Sequence, residues 1–365
     1  YIIIGPAYPD NHSGKGFVMF HYCTTVAFTV LILVCMTSPG LRAAPAVTFS
    51  TSVSKDAGTG WNIVTLEKTD AQTPKNSIRI RICPEGGCNM FSFSVGGTEL
   101  IYQLDSLSQL FAKTNGTAIL YPTPNRIRNG IYVFRGDTLR MSFPGETRLH
   151  TGHGLVWDDS AWKYGEPVAG KKSASFKAQY VLDDANPRFP AYPYRNVLTV
   201  EFTLLADRVR IAYEVENRDT KPLGFGFALH PFWNMLGTRD ETLIRVPLKW
   251  HMDATNMLPS GKLDPVTKDS KWNLLDPTPL TSLRLDDVYF GASPGSKVDV
   301  FWNAIGLELH QRASADFTHV VVYTPDRPFF CIENQTCSTD ALNLYNQGFV
   351  RESHLQVLEA GKKTG

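Results

Sequence analysis

Six side chains able to give, take or steer a proton stand where apolar, strand-like runs of this chain meet loops. His230 closes the run Leu223-Gly224-Phe225-Gly226-Phe227-Ala228-Leu229 and is followed by Pro231-Phe232-Trp233. Imidazole changes charge near pH ~6.5, and an aromatic wall excludes water from a proton transfer. Glu333 ends the late run Phe329-Phe330-Cys331-Ile332. Arg126 lies in Tyr121-Pro122-Thr123-Pro124-Asn125-Arg126-Ile127, His153 in His150-Thr151-Gly152-His153-Gly154-Leu155, and Asp286 and Asp287 in Leu285-Asp286-Asp287-Val288-Tyr289-Phe290. Each has an ordinary alternative. His230 could be a satisfied core residue, Arg126 half of a surface ion pair, His153 a turn residue before glycine, Asp286 a turn cap and Glu333 a solvated strand end. As a set they supply one acid, one base and several groups that hydrogen-bond hydroxyls.

The elements that must position these groups are strands. Ile78-Arg79-Ile80-Arg81-Ile82 and Phe91-Ser92-Phe93-Ser94-Val95 alternate with period two around Pro84-Glu85-Gly86-Gly87, as a half-buried hairpin does. Ile131–Phe134 with Thr138–Ser142, and Val197–Leu205 with Val209–Val215, form two further hairpin patterns. Strand-like runs continue through Thr242–Trp250, Val298–Phe301, Gly306–Gln311, Phe317–Thr324, Phe329–Ile332 and His354–Glu359. Only Leu104–Phe111 offers a short helix. No βαβ rhythm is present, so the pattern predicts an all-β fold, a large antiparallel β-sandwich. Trp157–Lys172, Asp183–Tyr194 and Met252–Pro279 read as long loops, which usually form functional rims or covers.

The 365 residues are 43% apolar and 19% charged, with a formal net charge of +1, which describes a globular protein with no electrostatic footprint for nucleic acid. Tyr1–Val18 carries no usable period and reads as an upstream or expression-derived stretch. Residues 19–46, with the apolar run Thr24–Met36 followed by Ser38-Pro39-Gly40 and Ala44-Pro45-Ala46, resemble a secretory signal peptide, too short to span a bilayer as a helix. This implies a secreted or periplasmic protein without stable membrane association after cleavage. Residues 47–365 then form a single domain. Four cysteines would remain, in two close pairs, Cys83/Cys88 and Cys331/Cys337, and export suggests disulfides, with four buried thiols or a crossed pairing as alternatives. No zinc-ligand spacing occurs, so no structural metal is expected. Two glycosylation sequons are present: Asn115-Gly116-Thr117, read as a turn open to modification, and Asn334-Gln335-Thr336, expected to stay unmodified because a glycan beside Glu333 would crowd a pocket there.

In this order the segments resemble the aldose 1-epimerase (galactose mutarotase) family, over about Trp61 to Leu358. The family's Asn-Arg segment is similar to Asn125-Arg126, its His-Gly segment to His153-Gly154, its catalytic His before aromatics to His230-Pro231-Phe232, its substrate-binding Asp to Asp286, and its late catalytic Glu to Glu333 within Cys-Ile-Glu. The resemblance implies a galactose mutarotase-like supersandwich that interconverts the α and β anomers of a free aldose such as glucose or galactose, with no cofactor. It implies His230 as acid and Glu333 as base, with Arg126, His153 and Asp286 binding sugar hydroxyls. An indole, Trp233, Trp157 or Trp162, would offer a face to the ring's C–H groups, and Trp233 is the one assigned to the substrate. Partial burial of Glu333 beside Phe329, Phe330 and Ile332 would raise its pKa and improve it as a base.

The chain departs from the family pattern at Leu229 and Pro231-Phe232-Trp233, where Asn and Tyr-Phe are common, so no hexose preference carries over. A branch acting on hexose 6-phosphates commonly has an Arg after the His-Gly segment; Trp157 stands there, which favours an unphosphorylated sugar. The alternatives are a secreted, non-catalytic carbohydrate-binding sandwich and a glycoside hydrolase using Glu333 with Asp286.

Overall fold

The computed structural model describes residues 2–6, 47–111, 115–141 and 151–364. The segment 19–46 expected to be a signal peptide lies outside the described residues. Ile2–Pro6 forms a strand between Arg208–Asn217 and Leu307–Gln311.

Among the described residues, three sheets carry the architecture, with eleven, seven and five strands, and all ladder pairings between strands are antiparallel. The seven-stranded sheet positions the candidate site. Its strands are β1 (Thr117–Leu120), β2 (Ala228–Asn234), β3 (Trp250–Thr255), β4 (Leu258–Pro265), β5 (Asp286–Phe290), β6 (His319–Tyr323) and β7 (Phe329–Gln335), in the order β4-β3-β5-β6-β7-β2-β1. Period-two alternation divides each strand between two faces. Ile119, Trp233, Tyr289, Val320, Val322, Phe330 and Ile332 point into the main core, where they meet residues of the eleven-stranded sheet such as Trp302, Val300 and Leu309. Full burial of each such side chain contributes about 1.5–3 kcal/mol of transfer free energy. The other face carries Ala118, His230, Phe232, Cys331, Glu333 and Gln335, in alternation with those core residues.

The sheets are also tied by polar contacts. Trp302 Nε1 donates to the Asn234 carbonyl at 3.0 Å and Asn334 Nδ2 to Gln311 Oε1 at 2.8 Å. After β7 the chain turns through helices Ala341–Asn346 and Val350–Ser353. Leu344 and Phe349 there pack with Met252, Leu263, Val288 and Phe290, closing one end of the site face.

The expected all-β sandwich is what the chain forms, and three local expectations are corrected. Met252–Pro279 is not a loop throughout, because Trp250–Thr255 and Leu258–Pro265 pair across it. Its many Pro, Lys, Asp and Ser residues fit an edge hairpin with one solvated side, and they mask the alternation. Leu104–Phe111 is helical only as the short 3-10 turn Leu107–Phe111. The disulfides are absent: Cys83, Cys88, Cys331 and Cys337 are all free and buried. Cys83 pairs across the hairpin with Asn89, not Cys88, and packs in a small cluster with Ile63, Phe91 and Leu110, whereas Cys88 belongs to the main core. Cys331 and Cys337 are separated by an extended strand that spans about 13 Å from residue 331 to residue 335 alone, well beyond the reach of a disulfide.

Neither sequon is presented as expected. Asn115 is buried, and its carbonyl accepts from Asn89 Nδ2 at 2.7 Å, so the turn is closed to modification. Asn334 lies on the face opposite Glu333, and a glycan on it would part the two sheets rather than crowd the site.

Thermal unfolding with and without dithiothreitol is expected to give midpoints within about 1 °C of each other. Loss of a native disulfide typically costs 2–5 kcal/mol, so a fall of several degrees under reductant would contradict four free thiols.

Candidate active site

His230 and Glu333 face each other across neighbouring strands. Ala228 pairs with Gln335 and Phe232 with Cys331, and the register between those pairs sets His230 opposite Glu333. The approach is close: His230 Nε2 is 3.2 Å from Glu333 Oε1, with both side chains almost completely buried. Pro231, which has no N–H, sits beside this level and pairs with Thr117 of β1. Glu333 Oε2 accepts a hydrogen bond from Gln335 Nε2 at 3.0 Å. Gln335 is fully buried, two residues along the same face of β7.

A second pair of groups arrives on irregular backbone. Arg126 and Ile127 pair with Gly152 and Thr151, and the His153 amide donates to the Asn125 carbonyl at 2.6 Å. Asn125 and His153 both adopt positive φ, 60° and 70°, a conformation few non-glycine residues hold. Gly154 follows at φ 74°, and a Cβ there would sit 2.2 Å from the Tyr121 carbonyl oxygen, so only glycine lets the loop close. The His153 ring lies edge-on to His230, with centroids 5.3 Å apart. Asn125 Oδ1 accepts from Arg126 Nη1 at 2.9 Å and steadies the guanidinium.

The electrostatics show how close the remaining groups are. Burial pushes Glu333 well above the usual carboxylate range, Asp286 adds to this, and the Gln335 hydrogen bond and Arg126 oppose it. Burial pushes His230 well below the ordinary imidazole value, with the charges of His153 and Arg126 acting the same way. Asp286 is exposed at the start of β5, yet desolvation by the protein around it raises its carboxyl, Arg126 pulling the other way and Asp287 adding to the rise. Arg126 therefore acts on His230, Asp286 and Glu333 together. Both shifts act against the ionic form of the pair, and the Glu333 oxygen that does not face His230 accepts from Gln335.

Aromatic rings wall the pair. Phe232 stacks on His230 at 4.6 Å with an interplanar angle of 8°, Phe329 lies 5.1 Å from Phe232, and Tyr102 lies 5.2 Å from Phe329. Tyr323 stands 6.4 Å from Phe329, and its phenol is raised by burial and by Asp286. These rings leave an apolar surface beside the acid–base pair on which a sugar's C–H groups can rest.

Five of the six assigned residues, Arg126, His153, His230, Asp286 and Glu333, thus converge on one face. Trp233 does not. It is fully buried, T-shaped to Trp302, and points into the core because it alternates with Phe232. Trp162 is also a core residue, donating to the Val156 carbonyl at 3.2 Å. Of the three indoles, only Trp157 is on the site's side of the sheet, packed with Ala118, Leu120 and Ala228. Sequence reasoning missed Gln335, Tyr102 and Tyr323. Strict period-two reading from Glu333 would have found Gln335, whereas Tyr102 is placed by a pairing no local pattern announces: Ile101 bridges to Trp233.

The antiparallel sheets are those of a galactose mutarotase-like fold. The aldose 1-epimerase family model matches residues 75–364, and the chain belongs to that family. Solved structures share the fold at low identity. A galactose mutarotase-like protein from Clostridium acetobutylicum superimposes with a TM-score of 0.76 at 12% identity, covering 87% of this chain and 96% of its own. Galactose 1-epimerase from Lactobacillus acidophilus gives 0.65 at 13% identity, with the same coverages. An aldose epimerase homologue from Caenorhabditis elegans gives 0.63 at 17% identity, covering 79% of this chain and 93% of its own.

Trp233→Phe separates the core role from a sugar-binding one. It is expected to lower the thermal midpoint by several degrees, as core truncations do, and to leave KM for sugar within twofold. An unchanged midpoint with a raised KM would return Trp233 to the substrate.

Proposed function

We propose that the protein is a mutarotase acting on a free, unphosphorylated aldose, with His230 and Glu333 as its acid–base pair. The observation that carries this reading is their 3.2 Å approach with both side chains almost completely buried. Ring opening places a proton on the ring oxygen while another leaves the anomeric hydroxyl. Rotation about the bond to C1 and closure on the other face reverse both transfers. The pair's total proton count is the same before and after, whichever member gives first.

In the free enzyme the proton rests on Glu333. A sugar hydroxyl that pairs with Asp286 screens the charge that helps hold it there, and an anomeric hydroxyl donating to Glu333 favours the carboxylate. The proton then crosses to His230, which delivers it to the ring oxygen as Glu333 takes the anomeric proton. Arg126 and His153 hold hydroxyls on one side, and Phe232 and Phe329 exclude water.

Polarimetry tests this directly. Freshly dissolved α-D-glucose or α-D-galactose is expected to reach its equilibrium rotation faster with protein, and His230→Ala and Glu333→Gln each to lose about 10²–10⁴-fold in kcat. Full turnover by Glu333→Gln would remove that residue from the mechanism. Reducing-sugar release from an oligosaccharide would indicate a hydrolase instead.

The pH profile follows from the direction of the two shifts. Activity needs one proton on the pair. It is lost in acid when His230, pushed down, takes a second, and in base when Glu333, pushed up, loses the only one. Hence kcat/KM is expected to be flat across ~6.5, the ordinary histidine value. A break there would mean that His230 titrates as a solvated, uncoupled group.

A further inference from the structure

Asp286 is held by its own neighbour from the far side of the sheet. Strand alternation sends Asp286, Val288 and Phe290 to the site face and Asp287 with Tyr289 to the core face. β3 pairs with β5 only at Trp250–Phe290 and His251–Tyr289, so it supplies no rung at the level of Asp286. The Asp287 carboxylate takes that place: its Oδ2 accepts from the Asp286 amide at 3.1 Å. Its Oδ1 lies 2.7 Å from His251 Nε2. Because His251 is directly opposite Tyr289, Asp287 is its diagonal neighbour on the same face, within reach of an imidazole.

The ring that grips Asp287 is itself fixed. Trp272 stacks on His251 with centroids 4.1 Å apart and an interplanar angle of 8°, and Tyr289 meets it edge-on at 5.9 Å. The Tyr289 hydroxyl donates to the Trp272 carbonyl at 2.7 Å and ties this stack to β5. His251 is buried, and its Nδ1 has no hydrogen-bond partner among the described residues. The tautomer that leaves no buried N–H unpaired carries the proton on Nε2 and donates it to Asp287. One Asp287 oxygen is thus held by a walled imidazole, and the other holds the backbone of the residue that faces the site.

Asp287 also acts on Asp286 through charge. Desolvation raises the Asp286 carboxyl most, Arg126 opposes the rise and Asp287 adds to it. The other charged or titratable groups around Asp286 are Tyr323, its partner on β6, and Cys331 and Glu333 on β7. Those groups and Arg126 stand on the site side, whereas Asp287 reaches Asp286 from the reverse.

We propose that Asp287 and His251 are positioning residues of the sugar site: they fix the Asp286 backbone and keep a negative charge behind it, and so set how tightly Asp286 holds a sugar hydroxyl. The hold on the sugar rests on the mutarotase reading; the hold on Asp286 does not.

Polarimetry with α-D-glucose and α-D-galactose gives the first test. Asp287→Ala is expected to raise KM about tenfold for the sugar that the wild type turns over, with kcat within threefold. His251→Phe keeps the stack and loses the donor, and is expected to raise KM about threefold. In an Asp286→Ala background, adding Asp287→Ala is expected to change KM by less than twofold, because the group through which it acts is gone. A further tenfold rise in the double variant would overturn the proposal, since a general loosening of the sheet adds to any background. An unchanged KM in His251→Phe would remove His251 from it. Should Asp287→Ala fail to fold, Asp287→Asn replaces it in the same cycle and is read by the same criterion.

The second test needs no turnover. The carbon-13 carboxyl signal of Asp286, identified by its loss in Asp286→Asn, is expected to titrate at lower pH in Asp287→Asn than in wild type, because a neighbouring negative charge has been removed. An unchanged titration would overturn the hold on Asp286. If the wild type accelerates neither sugar, the mutarotase reading fails and this titration alone decides the positioning role, a fall supporting it and no change overturning it.

Discussion

Desolvation is the constraint on which the site depends. In water a glutamic acid and a histidine brought together at neutral pH would form an ion pair, with the carboxylate as a weak base and the imidazolium as a fixed acid. Inside a dry aromatic wall burial raises Glu333 and lowers His230, and both shifts act against the ionic form. Gln335 completes the arrangement by occupying the carboxyl oxygen that does not face His230.

The sheet supplies this environment at small structural cost. Because β2 and β7 alternate strictly, His230 and Glu333 take one face, while Trp233, Phe330 and Ile332 bury the other against the eleven-stranded sheet. The core side holds the strands rigid, and the site side is left to polar chemistry. The other polar groups of the site come from elsewhere. Arg126 and His153 ride on a loop pair whose backbone is held at positive φ, and Asp286 sits at the start of β5, next to β6. Rigid strands thus place His230, Glu333 and Asp286, and a loop pair at positive φ places Arg126 and His153 beside them.

Much of this was legible in the chain because period two is simple to read where burial is one-sided. The hairpin of Ile78–Cys83 with Asn89–Val95, the long pair at Asn196–Leu204 and Arg208–Asn217, and the positions of His230 and Glu333 all follow from it. It failed where chemistry hides the period. The edge hairpin Trp250–Pro265 is too polar to announce itself, and the cysteine pairs look local in sequence yet one pair belongs to different clusters and the other to a strand and the bend beyond its end. Trp233 was misassigned because an aromatic beside a catalytic histidine invites a sugar-stacking role, although one step along a strand reverses the face. Asn334 errs by the same step. Tyr102 depends on a long-range register, which no local window contains.

Pro231 gives the level of His230 and Glu333 a property that the rest of β2 lacks. With no N–H it contributes no rung of its own beside the His230–Glu333 pair, while the neighbouring levels at Ala228 and Phe232 remain pinned. Strands joined firmly above and below such a point behave as a slit rather than a seam. Compliance in an otherwise stiff sandwich is thereby concentrated beside His230 and Glu333, at the one level of β2 with no N–H to give.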